Sequence, residues 1–360
     1  MAGAIAEATV ARPKARQIAT VQYVRAASAV AIILFHAGRH FGVRIHVGEA
    51  RVAVFFIVSG FVLWLITVGR RTDPRLFLAR RLARIVPLYW LVTLLVFAKE
   101  AAGLTAHAHA TPPQLIQSLL FLPHRNAAGL IFPVLVPGWT LVYEMFFCLL
   151  MASLLWVRPE RRLIWITAIL ATLAAAGAVL MPADPAGFVY TNPIMLDFLS
   201  GVWLAQMWSR QRLNTANALA LLVVGVAVSV AIHTTPDERR NEIVAWIPSL
   251  FIVVGALALE RPGRPPIGWL KAMGDGAYSI YLWHLPAIGL TAWCLARLGV
   301  TAPMILIPLV TVIATLIGMV LYRVLEKPMT EALFARIDRA WAARRPAAPA
   351  ALKPSPDVQS

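Results

Sequence analysis

The sequence contains few charged residues, few acidic residues and few cysteines. Asp, Glu, Lys and Arg make up 14% of the 360 residues, only 17 residues are acidic, and two are cysteines. A soluble domain carries about 25% charged residues, and no soluble core could bury a hydrophobic fraction of 59%. The composition also excludes a mainly disordered or fibrous chain. Because both cysteines, Cys148 and Cys294, lie inside apolar runs, a disulfide framework is excluded too.

What the chain has in abundance is apolar and basic residues. The mean hydropathy is +0.72, and 33 Lys and Arg against 17 Asp and Glu give a net charge of +16. Such a charge balance is typical of proteins that bind nucleic acid or an anionic membrane surface. The hydrophobic fraction decides the fold class, which is predicted to be an all-α polytopic membrane protein.

Long apolar runs predict about ten transmembrane helices, because a helix needs about 20 apolar residues to cross ~30 Å of hydrocarbon. The runs lie at residues 18–38, 50–69, 85–103, 139–157, 163–182, 192–209, 215–233, 243–260, 276–297 and 302–324. Apolar pieces within residues 112–137 are too short to span and are predicted to be re-entrant or interfacial. Residues 1–17 form a polar tail, and the first run has no small-residue cleavage site, so it is predicted to remain in the protein.

The basic residues predict the orientation of these helices. With ten spans, 24 of the 33 Lys and Arg residues fall on the side of the N-terminus and eight on the other, and Arg25 lies within the first span. The positive-inside rule therefore predicts cytoplasmic N- and C-termini, and the net charge needs no nucleic acid to explain it. The basic, Pro- and Ala-rich tail at residues 329–360 is predicted to be cytoplasmic and largely disordered after about residue 340.

Ionisable residues within spans are candidates for function because they are costly to insert. They are Arg25, His36, Glu144, Asp197 and His284. Arg25 and His36 are eleven residues apart, so on one helix they lie on the same side, separated by about 16 Å. Arg25 could instead extend to the cytoplasmic headgroups, and His36 could instead cap the helix end.

The other polar groups in the spans allow more than one interpretation. Glu144 lies among aromatic residues and must either find a cationic partner or stay protonated, whereas Asp197 could equally hydrogen-bond a neighbouring helix. His36 and His40 are one helical turn apart with His46 nearby, but no carboxylate ligand accompanies them, so no metal is predicted.

Arginines concentrate between the second and third spans, with six in residues 70–84. Arg81 and Arg84 are three residues apart and would share one helical face. They can serve as a positive-inside anchor, or as a clamp for phosphate, whose oxygens guanidinium groups bind in pairs.

Six motifs, in their order and spacing, resemble the membrane-bound acyltransferase-3 family, whose members O-acylate bacterial surface polysaccharides and, in some branches, macrolides. The motifs are QYVRAASAVAIILFH (22–36), GEARVAVFFIVSGFVLW (48–64), FLARRLARIVPLYW (77–90), GWTLVYEMFF (138–147), GDGAYSIYLWHLP (274–286) and EKP (326–328). The resemblance covers residues 18–328, which are therefore predicted to form a ten-helix acyltransferase membrane domain.

The resemblance implies roles for particular residues. Arg25 and His36 match the family's Arg-x10-His pair, with His36 as the essential histidine. Arg81 and Arg84 match its Arg-x-x-Arg motif, which engages the donor, and Glu144 falls on the acidic position of its aromatic-rich motif. Asp197 matches no family feature. The chain is expected to be of the stand-alone type, without an appended extracytoplasmic domain.

These roles agree with the chemistry of acyl transfer to an alcohol. His36 can accept the hydroxyl proton, Arg25 or a buried donor can stabilise the oxyanion, and Glu144 can orient the imidazole or neutralise an arginine. His36 is predicted near the extracytoplasmic side and the Arg81–Arg84 pair near the cytoplasm. The pantetheine arm of the donor is therefore expected to enter a pore.

The sequence thus predicts a multi-pass enzyme of the bacterial inner (plasma) membrane. It would transfer an acyl group, foremost acetyl from acetyl-CoA, to a hydroxyl of a surface polysaccharide or its lipid-linked precursor. The predicted partners are acyl-CoA, the glycan acceptor and the lipid bilayer, with no metal and no nucleic acid. The alternatives are O-acylation of a small molecule such as a macrolide, a transporter or flippase of a polysaccharide pathway, and a non-catalytic subunit of a polysaccharide assembly complex. Intramembrane charges are typical of transporters, but no inverted repeat is evident.

Overall fold

The computed structural model describes residues 18–45, 50–68, 72–104, 110–208, 214–231, 238–261 and 263–343, and within them the chain is helical with no strand. A 3₁₀ turn at Val136–Gly138 precedes α5, and a π-helical segment at Tyr322–Glu326 joins α13 to α14. The helices are α1 Ala19–His40, α2 Ala50–Thr67, α3 Pro74–Ala101, α4 Pro112–Leu119, α5 Trp139–Ser153, α6 Pro159–Leu180, α7 Pro185–Tyr190, α8 Met195–Met207, α9 Thr215–Ala231, α10 Glu238–Ala258, α11 Gly268–Asp275, α12 Ala277–Arg297, α13 Pro303–Leu321 and α14 Lys327–Ala342.

A helix occupies each of the ten predicted spans, but only part of that prediction is confirmed. Within the described residues, six helices are long and apolar enough to cross a membrane by length and composition, at Ala19–His40, Pro74–Ala101, Val136–Ser153, Pro159–Leu180, Ala277–Arg297 and Pro303–Ala342. Large apolar side chains such as Met304 and Leu298 are about four-fifths exposed on the outside of the bundle, where lipid would cover them. The chain is a multi-pass membrane protein. The count of ten spans and the orientation of the termini stay predictions.

Helix α3 begins earlier than the sequence predicted. The carboxylate of Asp73 accepts hydrogen bonds from the backbone N–H groups of Arg75 and Leu76, and Pro74 occupies the first helical position. Both features are helix-start signals, so the helix begins at Pro74 rather than near residue 85. Most of the arginine-rich stretch that was predicted to be a loop is therefore helical.

The segment that was predicted to be re-entrant or interfacial contains only a short helix. Between residues 104 and 135, the described chain forms only the eight-residue α4, whose Thr111 and Gln114 make a capping box; this is too short to span. At the C-terminus, α14 continues to Ala342. The N-terminal tail at residues 1–17 and the last part of the C-terminal tail, residues 344–360, lie outside the described residues.

The two ends of the helix bundle can be named from the contacts between helix termini. At one end, the N–H of Thr20 in α1 donates to Glu260 just after α10 (2.9 Å), and the guanidinium of Arg162 in α6 donates to the carbonyl of Thr67 at the end of α2 (3.2 Å). We call this end, at which α1 begins, the N-terminal face. The opposite end, at which α1 finishes, is the far face.

Close packing of α2 against α8 sets the position of α2. A Cβ atom on Gly60 would collide with the backbone of Phe198, and one on Gly201 would collide with the carbonyl of Ile57. Two glycines therefore let the backbones approach, as small residues commonly do between membrane helices. Helix α2 also packs against α1 and α10, so its remaining side is available to line a cavity.

Candidate active site

A cavity of about 560 Å³ lies between α1, α2, α3, α5 and α12, and we call it the arginine cavity. Four of the five residues to which the sequence assigned roles line it, namely Arg25, Arg81, Arg84 and Glu144. It extends from Ile18 at the N-terminal face to the first turn of α5. Its other lining residues are Val21, Gln22, Val52, Phe55, Phe56, Val58, Ser59, Val62, Leu65, Ile66, Ile85, Thr140, Leu141, Ala277, Tyr278 and Tyr281.

Arg25 lies on the wall of this cavity in the first half of α1. Its Nη1 donates to the side-chain carbonyl of Gln22, at 3.3 Å. The guanidinium is attracted electrostatically by Glu144, Glu326 and Asp275, and repelled by Arg84. The carboxylates provide the charge balance that a cation requires away from water.

Arg81 and Arg84 face the cavity from α3, on one helical face as their spacing predicted. Arg81 is attracted by Glu144, and Arg84 interacts with Glu326 and Tyr278. The cavity wall thus carries three guanidinium groups and one carboxylate, with a second carboxylate behind it. The resulting positive charge suits a polyanionic ligand.

The carboxylate behind the wall belongs to Glu326, which the sequence interpretation did not single out. Glu326 is only 3% exposed and ends the π-helical segment between α13 and α14. It accepts a hydrogen bond from the backbone N–H of Ser279 and is attracted by Arg84 and Arg25. π-Helical segments often occur at functional sites. The EKP motif was the available signal, since Glu326 is its first residue.

Tyr281 closes the cavity toward the far face. Its hydroxyl donates to the carbonyl of Pro137 (2.9 Å) and accepts a hydrogen bond from Thr140 (3.0 Å). These bonds connect α12 to the start of α5. One turn earlier, the hydroxyl of Tyr278 donates to the carbonyl of Ile85 in α3 at 2.6 Å. The two tyrosines therefore hold three walls of the cavity together.

His36 is not among the residues that line the arginine cavity. Its ring packs against that of His284, with 4.9 Å between the ring centroids, and the ring of His284 lies 5.7 Å from that of Tyr281. His36 is thus connected to the cavity through two aromatic side chains of α12. The sequence marked His284 as an ionisable residue within a span, but assigned it no role.

A second cavity, of about 490 Å³, lies at the far face, and we call it the aromatic cavity. Helix α5 lies between the two cavities, with Trp139 and Tyr143 on the aromatic cavity and Thr140 and Glu144 on the arginine cavity. The ring of Phe56 contacts both Trp139 and Tyr143. The remaining lining residues are Leu122, Pro123, His124, Arg125, Gly129, Leu130, Ile131, Phe132, Pro133, Val142, Pro182, Ala183, Phe188 and Val189.

The other polar candidates lie apart from the two cavities. Asp197 is 3% exposed in the first turn of α8 and lines neither cavity. His40 is exposed near the end of α1, and His46 lies outside the described residues. Within the described ranges, no group of three or more His, Cys, Asp or Glu side chains could hold a metal ion.

Comparison with known proteins identifies the family. The family model described as an acyltransferase domain matches residues 18–323. The chain is 35% identical over 302 residues to the exopolysaccharide production protein ExoZ of Rhizobium meliloti (strain 1021), covering 82% of this chain and 94% of that protein. It is 24% identical over 363 residues to the peptidoglycan O-acetyltransferase OatA of Listeria monocytogenes serovar 1/2a (strain ATCC BAA-679 / EGD-e), covering 87% of this chain and 56% of OatA.

No solved structure matches this chain. The family match spans most of the described helices and includes the residues that line the arginine cavity. It confirms the resemblance that the six sequence motifs indicated. The chain therefore belongs to the membrane-bound acyltransferase-3 family.

Proposed function

We propose that this protein transfers an acetyl group from acetyl-CoA to a hydroxyl of a surface polysaccharide or of its lipid-linked precursor. The observation that carries the proposal is the arginine cavity, in which Arg25, Arg81, Arg84 and Glu144 converge. The names of the two relatives, an exopolysaccharide production protein and a peptidoglycan O-acetyltransferase, favour a glycan acceptor over a macrolide.

The arginines provide a binding site for the donor's phosphates. Guanidinium groups bind phosphate oxygens through paired, charge-assisted hydrogen bonds. Arg81 and Arg84 lie in the half of α3 that starts at the N-terminal face, and apolar side chains such as Val52 and Phe55 line the cavity beyond them, with the ring of Phe55 against that of Tyr281. We infer that the nucleotide binds at the arginines and that the pantetheine arm extends along these apolar residues toward Tyr281.

The charge bias of the chain supports donor access from the cytoplasm. With 24 of 33 basic residues on the side of the N-terminus, the N-terminal face would be the cytoplasmic one. Acetyl-CoA would then enter from the compartment that produces it. In a bacterium, this orientation corresponds to the inner membrane.

The aromatic cavity is the site that we assign to the acceptor. It lies at the far face and is separated from the arginine cavity by side chains of α5 and by Phe56. The half-buried rings of Phe132, Trp139 and Phe188 offer flat surfaces against which the apolar faces of sugar rings can pack. A glycan bound there would approach the donor thioester from the opposite side.

The chemistry requires a base and a group that stabilises the oxyanion. His36 would accept the hydroxyl proton while the hydroxyl oxygen bonds to the thioester carbon. The C–S bond then breaks, its electron pair goes to sulfur, and the proton on His36 passes to the thiolate. Because Arg25 lies about 16 Å from His36 along α1, a buried hydrogen-bond donor nearer the thioester would stabilise the oxyanion formed in between, with the positive charge of Arg25 contributing at longer range.

The test is acetyl transfer by purified protein in detergent, from radiolabelled acetyl-CoA to alkali-de-O-acetylated exopolysaccharide of the producing bacterium. We expect His36→Ala to lower kcat by about 10²- to 10⁴-fold, the range for loss of a general base. His40→Ala, an exposed histidine one turn further along α1, is the matched control and should retain activity within about twofold.

The controls separate the alternatives. Equal loss in His36→Ala and His40→Ala would favour the histidine metal pair over a single base. Wild-type protein that transfers no acetyl group, but moves a glycan across liposome membranes, would show that the protein is a transporter.

A further inference from the structure

His284 is a buried histidine with one unsatisfied ring nitrogen. It is 1% exposed in the middle of α12, and its Nδ1 hydrogen-bonds the backbone carbonyl of Tyr281. A carbonyl only accepts, so Nδ1 carries the proton and Nε2 has the free lone pair. Within the described residues, Nε2 is buried and has no hydrogen-bond partner. Such a group is costly in a folded protein and calls for an explanation.

A second buried histidine, His124, has partners for both of its ring nitrogens. His124, in the segment between α4 and α5, is 6% exposed. Its Nδ1 interacts with the carbonyl of Leu122 at 2.9 Å, and its Nε2 interacts with the hydroxyl of Ser118 at 3.4 Å. Both ring nitrogens of His124 therefore have partners, whereas one nitrogen of His284 has none in the part of the chain that the structure describes.

The neighbour of His284 that can explain the unsatisfied nitrogen is His36. The two rings lie 4.9 Å apart between centroids, at an interplanar angle of 43°. At this separation, small side-chain rotations bring a nitrogen of one ring to a nitrogen of the other. Catalytic hydrogen bonds are often loose before substrate binds and tighten in the substrate complex.

We propose that His284 is the positioning residue for His36, and that the two form a catalytic histidine pair; this inference rests on the proposed function. Nε2 of His284 accepts an N–H hydrogen bond from His36, and the other nitrogen of His36 takes the hydroxyl proton. His284 itself neither gains nor loses a proton. The arrangement follows the general rule that a catalytic base is oriented by a third group.

The pair has a chemical consequence for the transfer step. When His36 takes the proton, it becomes an imidazolium, and the lone pair on His284 stabilises that charge through the shared hydrogen bond. After the C–S bond breaks, His36 returns the proton to the thiolate, so the products are the O-acetylated glycan and CoA. The Tyr281 carbonyl holds His284 in the required tautomer throughout, since its hydrogen bond keeps the proton on Nδ1.

The test compares three substitutions of His284 in the acetyl-transfer assay, with release of the CoA thiol as a second readout. We expect His284→Ala and the space-filling His284→Leu to lower kcat by about 100-fold. His284→Gln can still accept a hydrogen bond and should stay within about tenfold of wild type. The KM for acetyl-CoA should change less than about threefold in all three, because His284 lies outside the arginine cavity.

A double substitution shows whether His284 acts through His36. If it does, His36→Ala combined with His284→Ala should be no slower than His36→Ala alone, because residues that act as a unit are not additive. Thr311→Ala is the control for a buried polar side chain, because Thr311 in α13 lines neither cavity and its hydroxyl donates to the carbonyl of Ile307 at 2.8 Å. It should leave kcat within about threefold.

The failures can be distinguished. His284→Leu with wild-type kcat, or effects of His36 and His284 that multiply, would overturn the pair while leaving the proposed function intact. Wild-type protein that releases no CoA and transfers no acetyl group would overturn both.

Discussion

The arginine cavity and the aromatic cavity share helix α5 but differ in charge. The arginine cavity carries Arg25, Arg81, Arg84 and Glu144. The aromatic cavity has one arginine, Arg125, whose guanidinium already donates to two loop carbonyls. One cavity is therefore built to hold anions, and the other offers mainly ring surfaces.

This difference separates the two substrates of the proposed reaction. A polyanionic donor is recognised by charge, whereas a glycan hydroxyl is presented by packing and hydrogen bonds. Two pairs of α5 residues, each pair one helical turn apart, face different cavities: Thr140 and Glu144 face one cavity, and Trp139 and Tyr143 face the other. Substitutions in one cavity should therefore affect one substrate and not the other.

Among substitutions in the two cavities, the largest effect on a KM is expected from removing both donor-side arginines. Arg81→Ala with Arg84→Ala should raise the KM for acetyl-CoA by about 100-fold or more, since each hydrogen bond to a charged group contributes about 1.5–3 kcal/mol. The KM for the glycan should stay unchanged. The control is Arg80→Ala, because Arg80 forms an exposed ion pair with Asp338 (2.7 Å) and such pairs contribute little. If the KM for acetyl-CoA is unchanged in the double variant, the donor does not bind in the arginine cavity.

A smaller effect is expected from the buried carboxylate behind the same wall. Glu326→Gln removes a charge that attracts Arg84 and Arg25, so both guanidinium groups lose a constraint on their position. We expect the KM for acetyl-CoA to rise about tenfold and the thermal unfolding midpoint in detergent to fall. Glu331→Gln, an exposed residue further along α14, is the control.

The same substitution can be tested in a second background. In the Arg25→Ala, Arg84→Ala double variant, Glu326→Gln should have little further effect on the KM, because its two cationic neighbours are gone. A full tenfold effect in that background would mean that Glu326 acts on something other than the arginines.

The smallest effect is expected in the aromatic cavity. Trp139→Ala should raise the KM for the glycan about 3- to 10-fold, the amount that corresponds to one aromatic contact of about 0.5–1.5 kcal/mol. The KM for acetyl-CoA should stay within about twofold. Trp156→Ala, at an exposed position after α5 (77% exposed), controls for loss of a lipid-facing ring. If Trp139→Ala raises only the KM for acetyl-CoA, the aromatic cavity binds the donor and the assignment of the two cavities is reversed.

Local sequence signals predicted the helices well because they depend on neighbours along the chain. A helix is observed at each of the ten spans that the apolar runs predicted. The start of α3 was missed, although Asp73 and Pro74 form a helix-start signal. Hydropathy does not register this signal, because the arginines that follow Pro74 interrupt the apolar run.

The candidate site was predicted only in part, and for a physical reason. The spacing of Arg81 and Arg84 placed them on one face of a helix, and the motif order brought Arg25, His36 and Glu144 into one hypothesis. Periodicity along a helix, however, does not say which helix packs against it. His284 and Glu326 lie at the site because α12 packs against α1, and because the π-helical segment that ends at Glu326 leads into α14, which packs against α3.

By itself, the sequence determined the membrane class, the family and the location of the helices, because hydropathy and motifs are local properties of the chain. Only the tertiary structure decided that three arginines share one cavity, that His36 lies outside it against His284, and that Glu326 balances the charge from behind. Those contacts depend on how helix backbones approach one another, as at Gly60 and Phe198. Close packing between helices distant in the chain leaves no periodic pattern in the sequence.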